Sequence, residues 1–268
     1  MAKRLYFLKL GGSIITDTKK PNAAKVAAMK RMFKEIREAR SKKDFDLIIG
    51  HGSGSFAHVP AHKYKIHLGL INKNSRRGAS ITQHAAARLN RIVVEQLIKS
   101  GINAVSFPPS EGAIADGRKI KSWNLLPLKQ ALKNGFVPVT YGDVVVDTRQ
   151  GVSIASTEEV FSFIASKLHP QKIMLATDVD GVFDKNPKIY KDGSLIASIN
   201  GENLKRFLLS AGRSQKTDVT GGMYGKLSLL HEAVKRSRAT GYIINGTKKG
   251  NIRDLLLGRK TTCTKVLP

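Results

Sequence analysis

The sequence predicts an α/β fold, a three-layer αβα sandwich with a mostly parallel central sheet. Short apolar runs typical of buried strands alternate with segments whose apolar residues recur at the helical period. Strands that alternate with helices in this way form a parallel sheet with helices on both faces. Several glycine-rich segments directly follow predicted strands, and ligands of such sheets bind at the carboxyl ends of the strands.

Six strands and several amphipathic helices are predicted along the chain. The predicted strands are Leu5–Leu10, Leu47–Gly50, Ala104–Phe107, Val137–Thr140, Ile173–Thr177 and Tyr242–Asn245. Helical faces are formed by Met29, Met32, Phe33 and Ile36, by Ala85, Leu89, Ile92, Val93 and Leu97, and by Leu204, Phe207, Leu208 and Ala211. Residues 113–121 and 143–154 each predict a protruding β-hairpin. We therefore expect one domain over residues 1–268, with two lobes that part near Pro170.

The chain is strongly basic, with 46 Lys and Arg residues against 20 Asp and Glu residues and a formal charge of +26. Such a charge favours anionic partners and makes nucleic acid one hypothesis. The cations are spread over nearly every predicted helix, and aromatic residues, at 6%, do not interleave with them as base stacking would require. A generally basic surface suited to anionic substrates is the favoured interpretation, and nucleic acid is not an expected partner.

The sequence also bears on the location of the protein and on metal binding. No apolar run is long enough to span a membrane, and no signal peptide is recognisable, which predicts a cytoplasmic protein without a membrane partner. The single cysteine, Cys263, has no metal-ligand spacing around it. No zinc spacing occurs among the remaining histidines, for which a surface or structural role is expected: His51, His62, His67, His84, His169 and His231. No protein metal site is predicted.

The segment Gly50–His58 is the most informative part of the chain. It reads as a loop after a buried strand, with glycines at three alternate positions and a histidine at its far end. Glycines let a ligand approach the backbone, and convergent N–H groups in such a loop bind anions. His58 can donate a hydrogen bond to that anion near neutral pH.

Two further segments are typical of phosphate binding. Lys9-Leu10-Gly11-Gly12-Ser13 closes the first strand, where two glycines admit a phosphate and Lys9 supplies a positive charge. The segment from Asp218 to Lys226, with Gly221 and Gly222, leads into a helix whose N-terminus favours an anion. A tight turn or a solvated lysine would explain either segment alone.

Acidic residues mark two more positions. Asp178 follows the strand Ile173–Thr177 and could bond a ribose or support a phosphate region; a solvated acidic turn is the alternative. Ser156 and Glu159 form a capping box at the start of a helix, which accounts for Glu159. Glu158 has no such explanation and could hold two active-site lysines by charge-assisted hydrogen bonds.

Together these motifs resemble the amino-acid-kinase superfamily, and within it most closely the isopentenyl phosphate kinases. The resemblance covers nearly the whole chain and includes the segments from Lys9 to Ser13, Ser55 to His58, Val137 to Val144, Thr177 to Val182 and Asp218 to Met223. It implies an amino-acid-kinase-like domain with a substrate lobe over about residues 1–170 and a nucleotide lobe over about 171–268. It also implies a homodimer.

The resemblance further implies ATP-dependent phosphorylation of isopentenyl phosphate, with Mg²⁺. Carried over by position, Lys9 and Lys226 would neutralise charge on the transferred phosphoryl group, Glu158 would organise these lysines, and Lys19 would stand in for a further family lysine, a place that Lys20 could also take. The ATP site would comprise Gly11, Gly12, Ser13, Gly54, Asp178, Lys185, Gly221 and Gly222. The substrate site would comprise Ser53, Gly54, His58 and Thr157, and the helix over residues 79–99 could line a pocket for the apolar tail.

The chain departs from the family pattern at three places. Thr16-Asp17-Thr18-Lys19 displaces the family lysine by one residue, Ser156-Thr157-Glu158 stands where the family has Ser-Gly-Asp, and Ser53 and Ala57 replace usual glycines. These changes leave two alternatives open beside the first hypothesis. One is a kinase for another small phosphate or phosphonate, such as a fosfomycin-type acceptor. The other is a nucleic-acid-binding protein on a degenerate kinase fold.

Overall fold

The computed structural model describes residues 3–187, 189–212 and 222–268. Its strands are β1 (Leu5–Leu10), β2 (Asp46–His51), β3 (Ala104–Ser106), β4 (Ile114–Asp116), β5 (Lys119–Ser122), β6 (Val137–Tyr141), β7 (Asp143–Asp147), β8 (Gly151–Ala155), β9 (Lys172–Thr177), β10 (Ser198–Ile199), β11 (Thr240–Asn245) and β12 (Cys263–Val266). Its helices are α1 (Gly12–Ile15), α2 (Val26–Lys42), α3 (Gly54–Lys63), α4 (Ser75–Lys99), α5 (Leu126–Lys133), α6 (Thr157–Leu168), α7 (Gly201–Gly212), α8 (Gly222–Ser237) and α9 (Asn251–Leu257).

The central sheet has eight strands in the order β10-β12-β11-β9-β1-β2-β6-β3. The β11–β12 pair is antiparallel, and the other pairs of this sheet are parallel. The prediction of a mostly parallel sheet is therefore confirmed. Because β1 pairs with β2 on one side and with β9 on the other, the carboxyl ends of these three strands meet at one edge.

Helices cover both faces of this sheet, as the alternating pattern predicts. Successive side chains of β1 point to opposite faces, so Leu8 lies in the core under α2 and α4, whereas Phe7 lies in the core under α6 and α8. On the first face, Leu8 shares its cluster with Phe33. On the second face, the rings of Phe7 and Phe161 have centroids 5.0 Å apart. Burial of apolar surface on both faces fixes the three layers.

Both predicted hairpins are confirmed, and they form one small second sheet in the order β5-β4-β7-β8. A parallel pairing of β4 with β7 joins them. Asp147 ties the two hairpin turns together, because its carboxylate accepts the backbone N–H groups of Gly117 (3.1 Å), Arg118 (2.7 Å) and Arg149 (2.9 Å). Burial alone would raise its pKa, but these N–H groups lower the pKa of Asp147 to about 2.

Two parts of the chain differ from the predictions. In the segment Gly50–His58, Gly50 and His51 still belong to β2, only Gly52 and Ser53 form a loop, and from Gly54 onward the chain is helix α3, with His58 in its second turn. Gly54 and Pro60 disfavour a helix locally, but Phe56 and Ala57 are buried, and α3 packs against α4. Strands β10 and β12, at the far end of the sheet, were not predicted. The division into two lobes near Pro170, between α6 and β9, stays a prediction.

Within the part of the chain that the structure describes, no helix has the length and apolar character required to cross a membrane.

We expect Asp147→Asn to lower the free energy of unfolding by about 2 kcal/mol at neutral pH, because an amide accepts the three N–H groups less well than a carboxylate. The pKa of Asp147 is lower in the folded protein than the ordinary aspartate value near 4, so its stabilisation is present above that value and is lost as the pH falls towards 2. Urea denaturation from pH 7 to pH 3 measures the difference between the two proteins, which should shrink below about pH 4.

Asp116→Asn is the matched control for this prediction. Asp116 lies on the neighbouring hairpin and pairs with Arg149, whose side chain is exposed, so a smaller loss is expected. Equal losses for the two variants would contradict the role given to Asp147.

Candidate active site

The two N-terminal glycine segments meet at the carboxyl ends of the central strands. The N–H of Gly11 donates to Ala176 O at the end of β9 (2.8 Å), and the N–H of Gly52 donates to Leu10 O at the end of β1 (3.0 Å). A Cβ placed on Gly12 would lie 2.7 Å from Gly54 Cα, closer than atoms can approach. The segments therefore contact each other backbone to backbone, with no room for a side chain between them.

Gly54 begins α3 with a left-handed backbone conformation, φ +48°. A Cβ there would lie 2.0 Å from Thr16 Oγ1, so any larger residue is excluded both by conformation and by space. The Thr16 hydroxyl donates to Gly12 O (2.8 Å) and accepts the N–H of Ser55 (3.1 Å). Thr16, which was not singled out from the sequence, thus links the two glycine segments through its hydroxyl.

Lys9 and Glu158 form a buried ion pair beside these segments. Burial lowers the pKa of Lys9, and the Glu158 carboxylate opposes that effect. Burial would raise the pKa of Glu158, but the charge of Lys9 and its hydrogen bond keep that pKa below the ordinary value. Glu158 is consequently ionised at neutral pH.

Lys226 belongs to the same cluster. It lies in the second turn of α8, is partly buried, and its positive charge acts on both Lys9 and Glu158. The structure therefore brings together the two lysines and the carboxylate that were predicted to work together. The roles assigned to them in phosphoryl transfer stay predictions.

The predicted substrate residues Ser53 and Thr157 each bond to a backbone carbonyl of a neighbouring element. Ser53 Oγ donates to Gly142 O (3.0 Å), and Thr157 Oγ1 donates to His51 O (2.7 Å). Both buried hydroxyls thus join the ends of neighbouring elements, and each oxygen can still accept a hydrogen bond from a ligand. His58 is exposed on α3, one turn beyond Gly54.

The predicted nucleotide residues are partly described. Asp178 follows β9, as the sequence predicts, and Lys185 is an exposed residue paired with Asp192. Gly222 begins α8, whereas Gly221 and the residues from Asp218 to Thr220 lie outside the described residues. Lys19 is exposed and donates its backbone N–H to Asp17 Oδ1 (2.9 Å); the backbone carbonyl of Ser13 accepts from Lys25 Nζ (2.8 Å).

Sequence analysis missed an ion pair between the loops that follow β9 and β11. Lys248 Nζ lies 2.8 Å from Asp180 Oδ2, and Asn245 Nδ2 donates to Asp180 Oδ1 (3.1 Å). Asp180 belongs to the loop after β9, and Asn245 ends the adjacent strand β11. The alternate aspartates after β9 were a signal, but nothing in the sequence pairs them with Lys248.

The Ser156–Glu159 capping box is only half correct. Ser156 Oγ accepts the N–H of Glu159 (3.2 Å), as predicted for the first residue before α6. The Glu159 carboxylate instead accepts the N–H of Ile120 from β5 (3.0 Å). Glu159 therefore anchors a hairpin to α6.

Two buried titratable groups adjoin the site. His51 stacks on Tyr141 at 5.3 Å between ring centroids and contacts Asn90 Oδ1 through Nε2 (3.1 Å). Burial lowers the pKa of His51 to about 4, so the ring is neutral, and the structural role predicted for it is confirmed. Burial raises the pKa of Asp143 to about 6, although its carboxylate accepts the N–H groups of Ser110 and Val144.

Comparisons with known proteins agree with this architecture. The model of the amino acid kinase family matches residues 4–245. Isopentenyl phosphate kinase of Methanothermobacter thermautotrophicus is 36% identical over 271 residues, which cover 98% of both chains. Isopentenyl phosphate kinase of Methanocaldococcus jannaschii is 34% identical over 261 residues, which cover 95% of both chains. A solved structure of isopentenyl phosphate kinase aligns with a TM-score of 0.83 at 32% identity over 98% of this chain and 99% of that one.

The fold and the site define a kinase, and the chain belongs to the amino acid kinase family.

We expect Glu158→Gln to lower the free energy of unfolding by about 3 kcal/mol, because Lys9 would then be buried without a counter-charge. The double variant Lys9→Met/Glu158→Gln removes both charges and should recover most of that loss. Denaturation of the two single variants and the double variant measures the coupling. Additive losses would show that the two side chains do not stabilise each other.

Proposed function

We propose that this enzyme transfers the γ-phosphoryl group of ATP to isopentenyl phosphate and forms isopentenyl diphosphate. One observation carries the proposal: the buried Lys9–Glu158 pair, with Lys226, adjoins the place where two glycine segments meet at the carboxyl ends of β1, β2 and β9. This arrangement offers positive charge and backbone N–H groups to two phosphates at once. The substrate named for the relatives at 34% and 36% identity supports the choice of acceptor.

The chemistry requires positioning and charge stabilisation more than covalent catalysis. An oxygen of the acceptor phosphate attacks the γ-phosphorus, and the bond to the β-phosphate oxygen breaks as ADP leaves. The attacking oxygen is already ionised at neutral pH, so no general base is needed. Lys9 and Lys226 stabilise the charge on the equatorial oxygens, Glu158 orients Lys9, and His58 positions the acceptor phosphate by donating a hydrogen bond.

Mg²⁺ would neutralise part of the charge of the ATP phosphates when bound. Among the residues that the structure describes, no group of three or more His, Cys, Asp or Glu side chains is placed to hold a metal ion. This fits a Mg²⁺ ion that is held mainly through nucleotide phosphates and water, as this ion usually is in kinases.

The apolar tail of the substrate would lie in a groove of about 360 Å³ between α3 and α4, which Phe56, Val59 and Ala85 line. Ala85 lies on α4, the helix that the sequence predicts to line the tail pocket. Ser55, in the first turn of α3, also lines this groove, so a short apolar tail would lie next to the proposed phosphate site.

Two alternatives remain testable. A small phosphonate, such as a fosfomycin-type acceptor, presents the same anionic group to His58. The charge of +26 motivates the nucleic-acid alternative. Duplex binding that survives physiological salt would support that alternative, whereas binding lost there reflects only non-specific attraction.

A homodimer and a cytoplasmic location complete the proposal. β3 is an edge strand of the central sheet, and a groove of about 520 Å³ lies between it and α4, where Ile98 is 56% exposed. A second copy of the chain would cover this groove and the open strand edge.

We expect purified protein to convert isopentenyl phosphate to the diphosphate with ATP and Mg²⁺, and His58→Ala to reduce turnover at least about 100-fold while nucleotide affinity is unchanged. Product formation and a nucleotide titration measure the two effects. His62→Ala, one turn further along α3 and also exposed, is the matched control and should retain activity. Turnover of another phosphate but not of isopentenyl phosphate would overturn the proposed acceptor.

For the oligomer, Ile98→Asp should shift the protein from dimer to monomer in light scattering, because a charge would be buried in the contact. Leu126→Asp, an equally exposed position at the start of α5, is the control and should leave the mass unchanged. A monomeric wild-type protein would contradict the dimer.

A further inference from the structure

The opposite edge of the sheet, where the central strands begin, carries a cluster of cations, which we call the amino-edge cluster: Arg4, Lys43 and Lys172. Lys172 begins β9, Lys43 follows α2, and Arg4 precedes β1. A Cβ placed on Gly258 would lie 3.9 Å from Lys43 Nζ and 4.0 Å from Lys172 Nζ, so the two ammonium groups flank this glycine. Neither the candidate active site nor the proposed reaction uses these residues.

Lys172 is held in an unusual environment for an amine. Its Nζ donates to Leu255 O near the end of α9 (2.8 Å) and lies over the rings of Tyr6 (5.1 Å to the centroid) and Tyr242 (5.7 Å). Lys43 Nζ also lies over the Tyr6 ring (5.8 Å to the centroid), and it donates to Leu257 O (3.4 Å). Lys172 is therefore packed against apolar ring surface, with a second ammonium group close by.

No carboxylate among the described residues forms an ion pair with any member of the amino-edge cluster. The acidic groups of this edge are engaged elsewhere: Asp44 pairs with Lys3 at 3.0 Å, and Asp46 is influenced by Lys3 and Arg40. The other titratable groups around Lys172 are the two tyrosines and Cys263, which lies beside Tyr242. Protonation of Lys172 thus adds a third positive charge to the cluster, and the contacts that offset it are the Leu255 carbonyl and the two tyrosine rings, not a carboxylate.

We propose that Lys172 is a site of covalent acylation by acyl phosphates. Desolvation and a neighbouring cation are the two conditions that activate a lysine amine as a nucleophile, and both are present here. The anionic donor is drawn to Lys43 and Arg4. The Nζ lone pair attacks the acyl carbon, the bond from that carbon to the phosphate oxygen breaks, inorganic phosphate leaves, and the amine proton passes to water.

The charge balance agrees with this assignment. Burial, followed by the charges of Lys43 and Arg4, lowers the pKa of Lys172 to about 8. Roughly a quarter of the amine is then neutral at pH 7.5, against about one part in a thousand for an ordinary lysine. The amide product keeps an N–H for Leu255 O and removes one of the clustered charges, so the structure accommodates the modified side chain.

Incubation of the whole protein with acetyl phosphate, followed by peptide mass spectrometry, tests the proposal. At pH 7.5, Lys172 should be acetylated about tenfold faster than Lys42, an exposed lysine at the end of α2. The factor is smaller than the excess of neutral amine at Lys172, because a less basic amine is also a weaker nucleophile. The rate at Lys172 should level off above about pH 8, well below the pH at which the rate of an ordinary lysine amine levels off.

Variants of the neighbouring cations separate a specific environment from simple accessibility. Lys43→Gln removes the adjacent charge and should slow acetylation of Lys172 several-fold at pH 7.5, and Lys42→Gln should not. Because Lys43→Gln also loses the contact with Leu257 O, Arg4→Gln provides a second test of the same charge effect. Equal rates at Lys172 and Lys42, or equal effects of the Lys43 and Lys42 variants, would overturn the proposal.

Discussion

The buried pair of Lys9 and Glu158 is the interaction on which the rest of the site depends. It joins the central strand β1 to the first turn of α6, two elements that are 149 residues apart in sequence. A buried ion pair contributes little net stability, because desolvation of both charges offsets most of their attraction. Its consequence is geometric instead: a buried ammonium group is held at the end of β1, next to the glycine segments.

Close contact between backbones is the second constraint. Gly12 and Gly54 approach so nearly that neither position has room for a side chain, and Thr16 bridges them through its hydroxyl. The contact between the two glycine segments is consequently a surface of main-chain groups whose positions the fold determines. Side chains such as Ser53 and Thr157 support this surface by bonding to carbonyls of adjacent elements. A change in either hydroxyl would therefore act through the placement of the backbone as well as through any ligand.

The many cations of the chain have different structural roles. Lys9 is buried in an ion pair, whereas Lys43 and Lys172 lie at a helix end and donate to carbonyls of α9. Cations at a helix C-terminus are favourable because they oppose the negative end of its dipole. At the amino edge this placement brings like charges together without carboxylates, so local repulsion is balanced by carbonyl and aromatic contacts instead.

The sequence by itself determined the alternation of strands and helices and both hairpins. It also determined the glycine segments and singled out Lys9, Glu158 and Lys226 as the charged residues that act with them. These features follow from period, spacing and residue type, which are local properties. Tertiary structure alone decided that residues 54–63 are helical, that Glu159 bonds to Ile120 and not to its own helix start, and that Asp180 pairs with Lys248. Each of these three features depends on burial or on a partner distant in sequence. A local sequence pattern shows neither the burial nor the partner. Helix α3 forms despite Gly54 and Pro60 because Phe56 and Ala57 are buried once α4 is in place.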